Sequence, residues 1–124
     1  MTVVDVDSKN WDNEVTTGDK MVVVEFWHEG CPWCEKFKPI YEEVSEEYGD
    51  QAKFTRLNAL ETDENKRIAI ENGVMSTPTL AFYCRGRSLG SAMGFQPKER
   101  LQHIIDDMIE RRKECIEQSS EFPR

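Results

Sequence analysis

The chain has 124 residues and a mass of 14.4 kDa, enough for one domain that buries its core without disulfide staples. Its 16 basic and 24 acidic residues leave a net charge of −8. That sign repels phosphate backbones and anionic lipid, so binding to nucleic acid or to a membrane surface is disfavoured. No apolar run reaches the roughly 18 residues of a membrane span. Met1–Asp7 has neither the basic start nor the apolar stretch of a secretory signal, so a reducing cytoplasm is the expected setting.

Taken in chain order, Val3, Val4 and Val6 predict a short strand. Ser8 stands where a helix N-cap would, ahead of Trp11 and Val15 at i, i+4 spacing, and Gly18-Asp19 breaks that helix. Met21–Trp27 is a nearly continuous apolar run, the pattern of a strand covered on both faces. From 32 to 48, Trp33, Phe37, Ile40, Tyr41, Val44 and Tyr48 recur at three- and four-residue steps, predicting an amphipathic helix that ends at Gly49-Asp50. Lys53–Ala59 reads as a strand. Thr62 caps a helix running to Asn72, which Gly73 stops. Thr79–Cys84 and Ser88–Gly94 form a hairpin around the turn Arg85-Gly86-Arg87. Pro97 opens a last helix with Leu101, Ile104, Ile105, Met108 and Ile109 as its buried stripe. The order β-α-β-α-β-α-β-β-α predicts an α/β domain over 1–117, parallel strands joined by right-handed crossovers plus an antiparallel hairpin, and a polar tail at 118–124.

Four cysteines are present, and only Cys31 and Cys34 lie close together. Cys31 follows a buried strand and opens a helix, whose free N–H groups and dipole favour a thiolate. Pro32 suits the first helical turn because it has no N–H to lose. The spacing makes Cys31 the attacking sulfur and Cys34 the resolving one. A Cys-x-x-Cys pair is also half of a zinc site, with His28 as a third donor, but no second pair completes it. No metal or other cofactor is expected.

The chain resembles the thioredoxin family over nearly its whole length. The resemblance rests on Val22–Trp27, Cys31-Pro32-Trp33-Cys34, Arg56-Leu57-Asn58, Gly73–Leu80 with its Thr77-Pro78-Thr79, and the later Gly86 and Gly94. It implies a thioredoxin fold, a central five-stranded mixed sheet flanked by four helices. It further implies reversible dithiol–disulfide exchange by a monomer that acts on protein disulfides and is re-reduced by a reductase. Pro78 matches the family's cis-proline facing the sulfurs, which leaves the Thr77 backbone to pair with substrate. Glu25 stands where the family has a buried aspartate that exchanges a proton with the resolving cysteine, and Arg56 stands where a lysine pairs with that carboxylate. A carboxylate within so apolar a run needs such a role, and burial should raise its pKa. By the same resemblance, Trp33, Thr77, Pro78 and Gly94 contact substrate, while Pro32 and Arg56 tune the site.

The dipeptide departs from the family pattern. Pro32-Trp33 replaces the usual Gly-Pro and resembles glutaredoxin, so a glutathione-dependent oxidoreductase is one alternative. A non-catalytic module holding zinc or an iron–sulfur cluster is another. The remaining candidates have plainer readings. Trp33 serves a docking surface or packs along its helix. His28 is a solvated loop residue, Cys84 a buried inert thiol and Cys115 a partly exposed bystander. Glu42-Glu43 and Glu46-Glu47 are solvated surface.

Overall fold

The computed structural model describes residues 2–121, with side chains through Ile116. Five strands form one mixed sheet: β1 (Val3–Val6), β2 (Met21–Trp27), β3 (Ala52–Asn58), β4 (Thr79–Cys84) and β5 (Arg87–Met93). Their spatial order is β1-β3-β2-β4-β5. β1 and β2 both run parallel to β3, and β4 runs antiparallel to β2 and to β5. Four helical segments flank the sheet: a short π-helical turn (Asp12–Thr16), α1 (Pro32–Glu47), α2 (Asp63–Glu71) and α3 (Lys98–Glu121). This is the α/β thioredoxin fold expected from the sequence. α3 takes in residues 118–121 of the expected tail, and residues 122–124 lie outside the described residues.

Strand alternation builds a core on each face of the sheet. Met21, Val23, Phe54, Leu80 and Phe82 pack against Phe37, Tyr41 and Val44 of α1 and against Leu101, Ile105 and Met108 of α3. Val22, Val24, Phe26, Leu57, Ala81 and Tyr83 pack on the other side with Val15 and Ala69. β2 is therefore covered on both faces, as its nearly continuous apolar run requires. Tyr41 is nearly fully buried, and its hydroxyl donates to Thr55 O at 2.6 Å. α3 approaches the sheet closely over Gly90 at φ +152°. A Cβ there would lie 2.7 Å from Met108 Cε, the movable end of a flexible side chain, and the backbone angle itself favours glycine.

Several expectations need correction. Ser8 caps no helix. Its N–H is bound by Asn65 Oδ1 at 3.0 Å, while Asp7 Oδ1 accepts from Lys9 and Asn10 and turns the chain there. The helical turn begins after Trp11 without a side-chain cap, and Trp11 packs against Phe26 and Tyr83. β3 starts and ends one residue earlier than predicted. Thr62 does cap α2, accepting the Asn65 N–H at 3.0 Å, and Gly73 follows the C-cap Asn72. Of the two readings of Trp33, packing along its helix gives way, because the ring is exposed beyond the buried stripe of α1. Cys84 is no free thiol and Cys115 no partly exposed bystander: the two are buried and joined as a disulfide, with Cα atoms 6.6 Å apart. Their separation of 31 residues hid the pairing, which arises only because α3 folds back along β4.

Candidate active site

The parallel strands β1, β3 and β2 end on one side of the sheet, and the loop after β2 delivers the cysteines there. Gly30, at φ +78°, makes the reversal that a side-chain-bearing residue would resist. Cys31 is extended and serves as the N-cap of α1, with Pro32 in the first turn. Its Sγ accepts the Cys34 N–H at 3.2 Å. The two cysteines are joined, with Cα atoms 5.2 Å apart. From the opposite side, Thr77 Oγ1 lies 3.3 Å from Cys31 Sγ and Thr77 O lies 3.7 Å from it. The Thr77-Pro78 bond is cis, and Pro78 O accepts the Gly94 N–H at 2.8 Å. A helix N-terminus, a capping N–H and a hydroxyl therefore converge on one sulfur. Each stabilises negative charge there once the bond is opened.

Below the sulfurs lies a buried ionisable pair. Glu25 shares a β2 face with Met21 and Val23, the face covered by α1, and Cys34 begins the α1 stripe that continues through Phe37, Tyr41 and Val44. Glu25 is fully buried, and neither carboxylate oxygen has a hydrogen-bond partner. Arg56 Nη2 stands 3.9 Å from Glu25 Oε1, and Arg56 Nη1 stands 3.9 Å from Glu42 Oε2. The guanidinium also sits over the Trp27 ring, 4.8 Å from its centroid. Burial pushes the Glu25 carboxyl up from 4.5 to about 7; Arg56 opposes this and Glu42 reinforces it. Glu42, expected as plain surface, is thus half-buried and shares the arginine with Glu25.

Two depressions flank Cys31. A cleft of about 570 Å³ is bounded by Cys31 and Trp33 and continues over Leu60, Ile70, Met75 and Thr77. Leu60, Ile70 and Met75 are more than half exposed, an apolar surface with no cover. A smaller depression runs between Trp33, Thr77, Pro78, Gly94 and Phe95. Trp33 stacks toward Phe95 with centroids 5.3 Å apart, and Lys36 Nζ lies 4.5 Å from its ring centroid.

The thioredoxin family profile matches residues 2–107. The chain is 37% identical over 93 residues to the thioredoxin of Alicyclobacillus acidocaldarius, covering 75% of this chain and 86% of that protein. It is 33% identical over 106 residues to the thioredoxin of Bacillus subtilis, covering 86% and 97%. It is 36% identical over 107 residues to the chloroplastic thioredoxin M5 of rice, covering 86% of this chain and 60% of that longer protein. The chain belongs to the thioredoxin family. It is a thiol–disulfide oxidoreductase of that family, with Cys31 and Cys34 as its redox-active pair.

Neither alternative is favoured. The match is to thioredoxin rather than glutaredoxin. Cys31 and Cys34 are bonded to each other, and among the described residues no group of three or more His, Cys, Asp or Glu is placed to hold a metal ion. The structure brings Cys31, Cys34, Pro32, Trp33, Thr77, Pro78 and Gly94 to one end of the sheet, with Glu25 and Arg56 beneath. His28 is half-buried and lines the larger cleft. Sequence reasoning missed Leu60, Ile70 and Met75. The available signal was apolar residues in otherwise polar loop and helix stretches, out of phase with the buried Ala69 stripe.

Proposed function

We propose that the protein reduces protein disulfides as a monomer in the cytoplasm and is then re-reduced by a separate reductase. The observation that carries this reading is the convergence of the α1 N-terminus, the Cys34 N–H and Thr77 Oγ1 on Cys31 Sγ. In the reduced protein, the Cys31 thiolate attacks one sulfur of a substrate disulfide. The substrate S–S bond breaks, and its other sulfur leaves as a thiolate. Cys34 gives its proton to Glu25 and attacks Cys31 Sγ, which frees the second substrate thiol. The substrate gains two electrons, its two thiolates take up one proton from water and the one held by Glu25, and the Cys31–Cys34 disulfide remains.

Glu25 suits the proton step because a pKa of about 7 leaves it partly ionised at neutral pH. Arg56 limits how far burial raises that pKa, and Pro32 fixes the first turn of α1. Trp33, Pro78 and Gly94 border the smaller depression, where an extended substrate segment docks along Thr77. The apolar cleft at Leu60, Ile70 and Met75 takes up side chains flanking the substrate disulfide. A net charge of −8 keeps copies apart and disfavours nucleic acid as a partner.

Cys34→Ser tests the assignment, because it removes the resolving sulfur. Substrates should accumulate as mixed disulfides on Cys31, located by peptide mass spectrometry. Adducts attached through Cys84 or Cys115 would overturn it.

A further inference from the structure

The second disulfide lies at the opposite pole from the active site. β4 runs antiparallel to β2, with Thr79 beside Phe26 and Tyr83 beside Val22, so Cys84 sits by the start of β2. The six residues of β4 set Thr79 and Cys84 roughly 16–17 Å apart. Cys84 and Cys115 therefore do not exchange directly with Cys31 and Cys34 of the same chain. Cys115 also lies beyond residue 107, where the family match ends.

This bond ties the later part of α3 to the end of β4. After Met108, Cys115 is the sole buried residue among the described residues through Ile116. Two polar bonds also fasten this stretch: Arg111 Nη1 donates to Leu89 O of β5 at 2.9 Å, and Arg112 Nε donates to Asp19 O, ahead of β2, at 2.9 Å. Cys84 is sealed at 1% exposure, whereas Cys115, at 8%, opens on a surface cleft. Arg87 and Arg111 line that cleft with Cys115, and Glu114 is its one acidic member. Arg111 also lies 3.5 Å from Asp107. Two arginines lining the cleft on which Cys115 opens, on a chain of charge −8, favour an anionic reagent there.

We propose that Cys84 and Cys115 form a second, independent dithiol–disulfide couple whose co-reactants are small anionic disulfides and thiols of the glutathione class, and which fastens or frees the end of α3. In the closing direction, the Cys115 thiolate attacks one sulfur of the small disulfide. That S–S bond breaks, and one small thiol leaves. The Cys84 thiol loses its proton and attacks Cys115 Sγ, releasing the second small thiol. The protein loses two electrons and two protons, and the reagent gains both. Opening is the reverse exchange, driven by excess small thiol.

The test uses full-length protein carrying Cys31→Ser and Cys34→Ser, reduced and then equilibrated in graded mixtures of glutathione and its disulfide. Alkylation and mass spectrometry should report one reversible transition, with Cys84 and Cys115 blocked together or free together. Cleavage by trypsin after Arg111, Arg112 and Lys113 should be faster on the open side of that transition. Adding Cys84→Ser should leave a glutathione adduct on Cys115. Arg87→Glu with Arg111→Glu should slow reaction with glutathione disulfide about tenfold more than reaction with uncharged hydroxyethyl disulfide. Independent alkylation of the two cysteines at every poise would overturn the couple. So would a bond that stays closed in folded protein under excess reduced glutathione. Equal slowing of both reagents would overturn the anionic reagent class. In protein with Cys31 and Cys34 intact, Cys84→Ser and Cys115→Ser should each keep disulfide-reducing activity; loss in both would refute the independence of the two centres.

Discussion

Glu25→Gln separates the energetic cost of the buried carboxylate from its use. The folded state holds this group up at about 7 against an ordinary value of 4.5, chiefly through burial. At pH 4 the carboxyl is protonated in both folded and unfolded chains, so its ionisation does not affect stability. Between 4.5 and about 7 the unfolded chain gives up the proton while the folded chain keeps it, so stability falls as pH rises. Above that window the carboxylate is charged in both states and the cost is fully present. At about 1.4 kcal/mol per pKa unit, that cost comes to about 3 kcal/mol. Glutamine does not titrate. Its unpaired amide adds an offset, but one that does not vary with pH. The stability of Glu25→Gln relative to the parent should therefore rise by about 3 kcal/mol from pH 4 to pH 8.5, or about 12 °C in Tm for a chain of this length. Urea denaturation of the oxidised protein across that range measures it, since the bonded cysteines do not titrate. Resolution of the Cys31 mixed disulfide by Cys34 should slow in the same variant. A stability difference that stays flat with pH would refute the raised carboxyl and the proton role built on it.

Two further substitutions probe the site and its support. Thr77→Val removes the hydroxyl 3.3 Å from Cys31 Sγ. In reduced protein it should raise the Cys31 pKa by about one unit, the worth of a hydrogen bond to a charged group, read from the pH dependence of its alkylation rate; an unchanged profile would count against that contact. Tyr41→Phe leaves Thr55 O without its buried donor, whereas Val23 O keeps the Thr55 hydroxyl at 2.8 Å. The expected loss is about 1.5 kcal/mol in urea denaturation with activity unchanged. Unaltered stability would mean that the Thr55 carbonyl finds another partner.

Part of the site was legible because its chemistry depends on local chain geometry. The Met21–Trp27 run placed a covered strand, Pro32 placed the helix start, and the strand-to-helix junction put Cys31 at the N-cap. Glu25 announced itself as a carboxylate among Val24, Phe26 and Trp27. Other features were not legible. Ser8 had the residue type of a cap, yet its N–H was taken by Asn65, 57 residues away. Trp33 matched the helical period of Phe37, but it lies in the first turn, past the edge of the sheet, and remains exposed. Glu42 looked like any surface acid until Arg56, on another element, reached it.

The sequence by itself determined the element order, the covered central strand, the family and the Cys31–Cys34 pair. These follow from periodicity, capping and a contiguous motif, which are encoded within a few residues of one another. Only the tertiary structure decided three other features: the shared arginine between Glu25 and Glu42, the apolar cleft joining Leu60, Ile70 and Met75 to Cys31, and the bond between Cys84 and Cys115. Each brings together residues from separate elements, and their distances are set by how helices pack on the sheet rather than by spacing along the chain.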